Sequence, residues 1–284
     1  MGRYTALFER LSPKASSLDN PILNRQSCHQ FITQHCLNCG KEWVSNLPCS
    51  DKLCLECSMK RSYKHGYVVF AILSALGLLN RAYRLKFVTL TIKNVSSVSE
   101  GYIKLRRCFG VLQHRAIWKN AFYGRKNRFG KRSKGWNVRG GMGNFEVTNT
   151  GNGYHVHLHL LLDSDFIPQK QLSKLWLNIT GDSKVVDVRV CSGTKEAIME
   201  ISKYSFKPAD AVLWSDDMRL DFNVALKNKV LFFRFGSWRD VEFKPLAAKC
   251  GFCGSTLIMT LTFECADVVD MVCNPIRVYG GEYG

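Results

Sequence analysis

Three histidines alternate with apolar residues in YHVHLHLLLD, Tyr154–Asp163. On a β-strand successive side chains point to opposite faces, so His155, His157 and His159 share one face while Val156, Leu158, Leu160 and Leu162 line the other. A lone strand histidine is usually structural. Three on one face, opposite an unbroken apolar row, point to metal ligation. The turn-rich NTGNG joins this strand to a preceding one at Phe145–Thr148. With the turn centred on Gly151 and Asn152, paired positions sum to 303 and Glu146 falls opposite His157. Cross-strand neighbours have Cβ atoms about 5 Å apart, which brings Glu146 within reach of an ion held by His157 and His159. Two imidazoles and a carboxylate with open positions suit Mn²⁺ or Mg²⁺ doing Lewis-acid work on a phosphate. The alternative for Glu146 is a surface salt bridge.

A second chemical stretch is KEAIMEISKYSFKPAD, Lys195–Asp210. It predicts a helix over 194–206, stopped by Pro208. Glu200 and Tyr204 stand four apart on one helical face, with Ile198 and Ile201 toward the packing side. Lys203 and Lys207 flank the tyrosine and would favour its phenolate or hold a phosphate. A tyrosine becomes a useful nucleophile where cations stabilise the phenolate and a metal polarises the phosphate. An ordinary amphipathic helix with a buried tyrosine is the plainer reading of the same residues.

Ten of the twelve cysteines cluster at the two ends of the sequence. Cys36-x-x-Cys39 and Cys54-x-x-Cys57 have the spacing of a zinc ribbon, each tight turn offering two thiolates to one Zn²⁺. Cys49 is an alternative ligand, and Cys28, His29 and His35 are further candidates. Cys250-x-x-Cys253 followed by Cys265 and Cys273 forms a less regular set, a candidate second site. Cys108 and Cys191 stand alone and are expected in the core. The start, MGRYTALFERLSPK, has no apolar run of the signal-peptide kind, and Ala6 argues against myristoylation. The expected compartment is a reducing cytoplasm, where clustered cysteines mean metal rather than disulfides.

These groups need a scaffold, and the composition supports one. The 284 residues are 46% apolar and 12% aromatic, which excludes intrinsic disorder. A helix is expected over 58–79, a strand at Leu85–Ile92 and a helix over 101–122. The apolar run Tyr67–Leu79 is too short to span a membrane. Lys and Arg number 40 against 23 Asp and Glu, a net charge of +17 that calls for a polyanionic partner. From Arg115 to Arg139 there is no acidic residue. Within it Arg125, Lys126, Arg128, Lys131, Arg132 and Lys134 stand among Phe122, Tyr123, Phe129 and Trp136, and cations with aromatic rings are what phosphate contact and base stacking require. A merely solvated basic face is the alternative.

Three segments, FVTLTIKN (Phe87–Asn94), FEVT…YHVHLHLLL (Phe145–Leu162) and EISKYSFKPAD (Glu200–Asp210), stand in the order of the three HUH endonuclease motifs. The chain most closely resembles the single-tyrosine rolling-circle replication initiators (Rep) of small bacterial plasmids. CSDKLCLECSMKR (Cys49–Arg61) also looks like that family's N-terminal element, so the resemblance covers roughly residues 45–240. It implies an α+β fold: a central antiparallel sheet, ferredoxin- or RRM-like, with helices on its faces, the histidines on a central strand and the tyrosine on a facing helix. With the cysteine module in front, the implied division is 1–80 for a zinc-binding module and linking helix, 81–245 for the catalytic domain and 246–284 for a C-terminal cysteine segment. The resemblance further implies that His157 and His159 hold the catalytic ion with Glu146 as third ligand, His155 being an extra histidine. Tyr204 would be the nucleophile, leaving a 5′-phosphotyrosine and a 3′-OH primer, and Glu200 would activate water to end the cycle. Single-stranded or hairpin origin DNA would be the substrate, with host helicase and polymerase as partners and monomer or dimer left open. A single-tyrosine HUH transposase or relaxase shares this chemistry. A non-catalytic zinc-ribbon nucleic-acid-binding protein is the alternative of another class.

Overall fold

The computed structural model describes residues 31–36, 38–46, 51–149, 151–203, 214–243, 250, 252–255 and 261–263. Of these, the residues up to Asp51 and those beyond Phe243 form one compact unit, and Lys52–Phe243 forms another. In the smaller unit, Phe31–His35 (β1) pairs antiparallel with Glu42–Asn46 (β2) and with Leu261–Phe263 (β10). This pairing joins the two ends of the sequence, so the expected division at 80 and 245 gives way to a split after residue 51, with the C-terminal segment closing the N-terminal module. The linking helix Leu55–Ala75 (α1) belongs to the larger unit.

The larger unit is built on a sheet. Its strands are Leu85–Thr91 (β3), Gly140–Asn149 (β6), Tyr154–Asp163 (β7), Val186–Val190 (β8) and Phe232–Gly236 (β9). Among the described residues they are ordered β8-β3-β7-β6-β9, each pair antiparallel, so the histidine strand is central. A separate ladder of two residues each, Phe122–Tyr123 (β4) with Ser133–Lys134 (β5), lies in the basic run.

Period-two alternation sorts the side chains into two layers. Val88, Leu90, Val156, Leu158 and Leu160 are buried beneath Val98–Gln113 (α2), Gln169–Thr180 (α3) and Asp216–Ala225, numbered α5 below. On the opposite face Leu85, Phe87, Met142 and Leu161 pack against Val69, Ile72 and Leu73 of α1 and against Ala197 and Ile201 of Thr194–Lys203 (α4). Each such fully buried side chain contributes about 1.5–3 kcal/mol. Helix α2 sits close on the sheet: a Cβ at Gly101 would lie 2.6 Å from Val156 Cγ2, so glycine sets the distance of approach. Helix α5 (Asp216–Ala225) starts at Ser215, whose hydroxyl accepts from Met218 N–H, with Asp216 and Asp217 at the positive end of the helix dipole.

The far end of β7 is held by ions. The buried Asp163 carboxylate receives Arg84 Nη2 at 2.5 Å and Arg139 Nη2 at 2.8 Å. Arg139, the last cation of the basic run, thus holds the fold through Asp163 and Asp165. Trp136 departs from expectation. It is fully buried, donates from Nε1 to Gln171 Oε1 at 3.2 Å and packs edge-on against Trp118. Its large apolar ring stabilises the core more than it could a solvated arm, so it is no stacking platform for bases. Cys108 and Cys191 are buried, as expected of core residues.

On α1, His65 stacks on Phe232 with ring centroids 3.9 Å apart. Burial, helped by Arg61 and Lys64, pushes its imidazole from 6.5 down to about 4. The folded state keeps His65 neutral through that range, whereas the unfolded chain takes up a proton near 6.5, so acidification draws the equilibrium toward unfolding. Stability should therefore fall as pH drops from 6.5 toward about 4 and be indifferent to this residue above 6.5. His65→Phe, which keeps the stacked ring, should remove roughly 1–3 kcal/mol of that loss, measured by denaturant unfolding across the window.

Candidate active site

The hairpin register follows the sum of 303: Glu146 pairs with His157, Asn144 with His159 and Thr148 with His155. Glu146 and His159 are buried, and His159 Nε2 lies 2.7 Å from Glu146 Oε2. Glu146 is thus part of a buried imidazole–carboxylate contact and no surface salt bridge. His157 lies alongside, its ring centroid 5.9 Å from that of His159 and 4.2 Å from that of His155. Burial holds His155 below the usual imidazole range, with the Glu146 carboxylate partly opposing.

The other nitrogen of each inner ring is held from the neighbouring strand. Register places Thr89 opposite His159 and Thr91 opposite His157, and each threonine Oγ1 lies 3.1 Å from the facing Nδ1. A hydroxyl both donates and accepts, so it can hold Nδ1 in either neutral tautomer. With Nε2–H donating to Glu146, Nδ1 accepts from Thr89; with Nε2 stripped for a ligand, Nδ1–H donates to it. Orientation by a second hydrogen bond is what fixes a ligating imidazole. These two threonine contacts are absent from the sequence expectations, although both residues lie in the FVTLTIKN segment.

Two imidazole nitrogens and a carboxylate oxygen fit a divalent ion such as Mn²⁺ or Mg²⁺. Their present contact is that of two groups joined by a proton. Among the described residues, the group of three or more ligating side chains whose donor atoms all lie within 4.8 Å of one another is a cysteine quartet in the smaller unit.

Helix α4 lies on the histidine side of the sheet, where Asn144 Nδ2 donates to the carbonyl of Ile201 at 3.4 Å. Glu200, largely buried at 20% side-chain exposure, is paired with Lys203 and with Arg189 Nη2 at 3.4 Å. Arg189 stacks over Phe87, whose ring in turn lies 5.9 Å from that of His159. A continuous set of contacts therefore runs from the histidines to Glu200. The helix is described to Lys203; Tyr204 and Lys207 lie outside the described residues.

The cysteine quartet is Cys36, Cys39, Cys250 and Cys253. The fold brings Cys36 and Cys39 together with Cys250 and Cys253, and not with the expected Cys54 and Cys57. Cys54 precedes α1 and Cys57 is buried in its first turn, both in the other unit, whereas the β1–β10 pairing delivers the C-terminal turn to the N-terminal one. Cys49, Cys265 and Cys273 lie outside the described residues. Ser255 Oγ lies 3.4 Å from Cys36 Sγ and 2.9 Å from Cys253 Sγ, and its hydrogen bond brings the Cys253 thiol down to about 5.

In the basic run, Arg125, Lys126, Arg128, Lys131, Arg132 and Lys134 are all exposed. Phe129 is 70% exposed beneath the Arg128 guanidinium, which lies 4.7 Å from its centroid, and Phe122 is 56% exposed. Cation and ring are thus presented together at the surface, by Phe129 and Phe122 and not by Trp136.

A family model described as "Replication protein" (Rep_1) matches residues 43–236. A protein named "Protein rep" from Streptococcus pneumoniae serotype 2 is 27% identical over 180 residues, 56% of this chain and 51% of that protein. Another "Protein rep", from Lactiplantibacillus plantarum, is 27% identical over 219 residues, 70% of this chain and 63% of its own length. The chain thus spans between about half and two thirds of the length of the curated relatives it matches. No solved structure matches it.

Thr91→Val keeps the shape of the side chain but removes the hydroxyl from His157 Nδ1. It should weaken Mn²⁺ binding by about ten- to a hundred-fold, read from the paramagnetic resonance of free Mn²⁺ during titration. Thr91→Ser should bind like the unmodified protein.

Proposed function

The chain belongs to the Rep_1 family of replication proteins, and on that premise we propose that it initiates plasmid replication by nicking one strand of its origin through a tyrosine. The observation that carries this reading is the shared face of His157, His159 and Glu146 beneath the helix that bears Glu200. It is supported by a family match that spans all of these residues.

The basic run, with Phe129 and Phe122, holds the phosphate backbone and stacks unpaired bases of the origin strand. A divalent ion held by His157, His159 and Glu146 would polarise the scissile phosphate and lower the charge barrier to attack. Tyr204 Oη forms the new bond to phosphorus, the bond to the 3′ oxygen breaks, and the released 3′-OH primes synthesis. Lys203 and Lys207, one on each side of Tyr204 in the sequence, stabilise the phenolate. Glu200, paired with Arg189 and Lys203, takes a proton from water in the closing hydrolysis, ending one round. The threonines do no chemistry; they keep the two imidazoles aimed. Host helicase and polymerase extend the primed strand.

Tyr204→Phe should abolish both nicking of a supercoiled origin plasmid in Mn²⁺ and the protein–DNA band on a denaturing gel. Glu200→Ala should still nick but fail to terminate, so covalent adduct accumulates. Nicking by Tyr204→Phe would overturn the assignment, and the absence of any DNA-linked band from the unmodified protein would favour a non-catalytic binder.

A further inference from the structure

The quartet of sulfurs is made of two copies of one turn. Cys36-Leu37-Asn38-Cys39-Gly40 and Cys250-Gly251-Phe252-Cys253-Gly254 share the pattern C-x-x-C-G. In the first turn Cys36 N donates to Lys41 O and Gly40 N to Cys36 O, both at 2.8 Å; in the second, Cys250 N donates to Ser255 O at 2.9 Å and Gly254 N to Cys250 O at 2.8 Å. Gly40 and Gly254 both have positive φ, 68° and 67°, where any other residue would be strained. Such a turn directs two sulfurs to one point. The two turns face each other, with Cys36 Sγ 3.6 Å from Cys253 Sγ and Cys39 Sγ 3.6 Å from Cys250 Sγ.

That separation has a chemical meaning. A disulfide would require about 2.05 Å. Four thiolates at about 2.3 Å from a central zinc stand about 3.8 Å apart along the edges of the tetrahedron. The observed spacing is that of metal ligands. The strands agree: the first turn is the loop of the β1–β2 hairpin, and β10, which follows the second turn, pairs with β1.

We infer that Cys36, Cys39, Cys250 and Cys253 hold one structural Zn²⁺, and that the replication unit Lys52–Phe243 is an insertion between the two halves of a zinc ribbon. Binding releases the thiol protons and leaves a closed, all-sulfur shell with no open position, so the ion does no hydrolysis. Zinc suits the site better than iron, because Cys39 and Cys253 are exposed and a redox-active centre there would be open to oxidants. This inference is independent of the nicking reading.

The test is metal content of the full chain after dialysis against EDTA, which strips weakly held divalent ions. The unmodified protein should retain one zinc per chain. Cys250→Ser with Cys253→Ser should lose it, whereas Cys54→Ser with Cys57→Ser, and His157→Ala with His159→Ala, should keep it. Circular dichroism and thermal melting of the Cys250/Cys253 variant check that the larger unit remains folded. Replacement of zinc by Co²⁺ in the unmodified protein should give the intense thiolate-to-cobalt absorption of tetrahedral sulfur coordination, whatever the fate of the variants. Retention of zinc without Cys250 and Cys253, its loss without Cys54 and Cys57, iron in its place, or a cobalt spectrum free of thiolate bands would each overturn the inference.

Discussion

A slip of one residue between β6 and β7 would turn His155, His157 and His159 into the apolar layer under α2 and bring Val156, Leu158 and Leu160 to the other face. Both layers would fail together, which is why register is strongly specified where a sheet is buried on both sides. Here the pairing runs unbroken from Gly140↔Asp163 to Asn149↔Tyr154. At one end the buried Asp163 carboxylate is fastened by both Arg84 and Arg139. The position of Glu146 beside the histidines is thus a by-product of core packing. The site inherits its geometry from the hydrophobic layer on the opposite side of its own strand.

Much of that was legible in the sequence. Alternation over ten residues settled which side chains share a face, and a short turn made the cross-strand partner a matter of arithmetic. The threonines were not legible in the same way. Their contact with the histidines joins positions 66 and 70 residues apart, across a strand pair that no tight turn connects. Local periodicity identifies a strand and its faces, but not which strand will lie beside it. Glu200 and Tyr204 were placed on one helical face by their spacing, whereas the pairing of Glu200 with Arg189 depended on β8 arriving at the sheet edge.

The basic run and the cysteines show where composition misleads. Counting cations and rings in one window put Trp136 beside Phe122 and Phe129 as a nucleic-acid contact. The large apolar ring of Trp136 is buried in the core, whereas Phe122 and Phe129 remain exposed. The cysteine types and turn spacing pointed to metal, yet nearness in sequence favoured Cys54 and Cys57, whereas the fold brings Cys250 and Cys253 to the first turn. The better clue was the glycine after each pair: Cys39-Gly40 and Cys253-Gly254 share it, while Cys57 is followed by Ser58.

The distance between those two turns also orders events during synthesis. Cys39 and Cys250 are 211 residues apart, and a ribosome adds about 5–20 residues each second, so some 10–40 seconds separate their appearance. The sheet with its histidines can form in that interval, while the first turn waits for its counterpart. A chain broken off between Phe243 and Cys250 would hold the whole of the larger unit but leave Cys36 and Cys39 without the second turn. Closure of the sulfur quartet therefore marks a polypeptide that has been translated at least as far as Cys253.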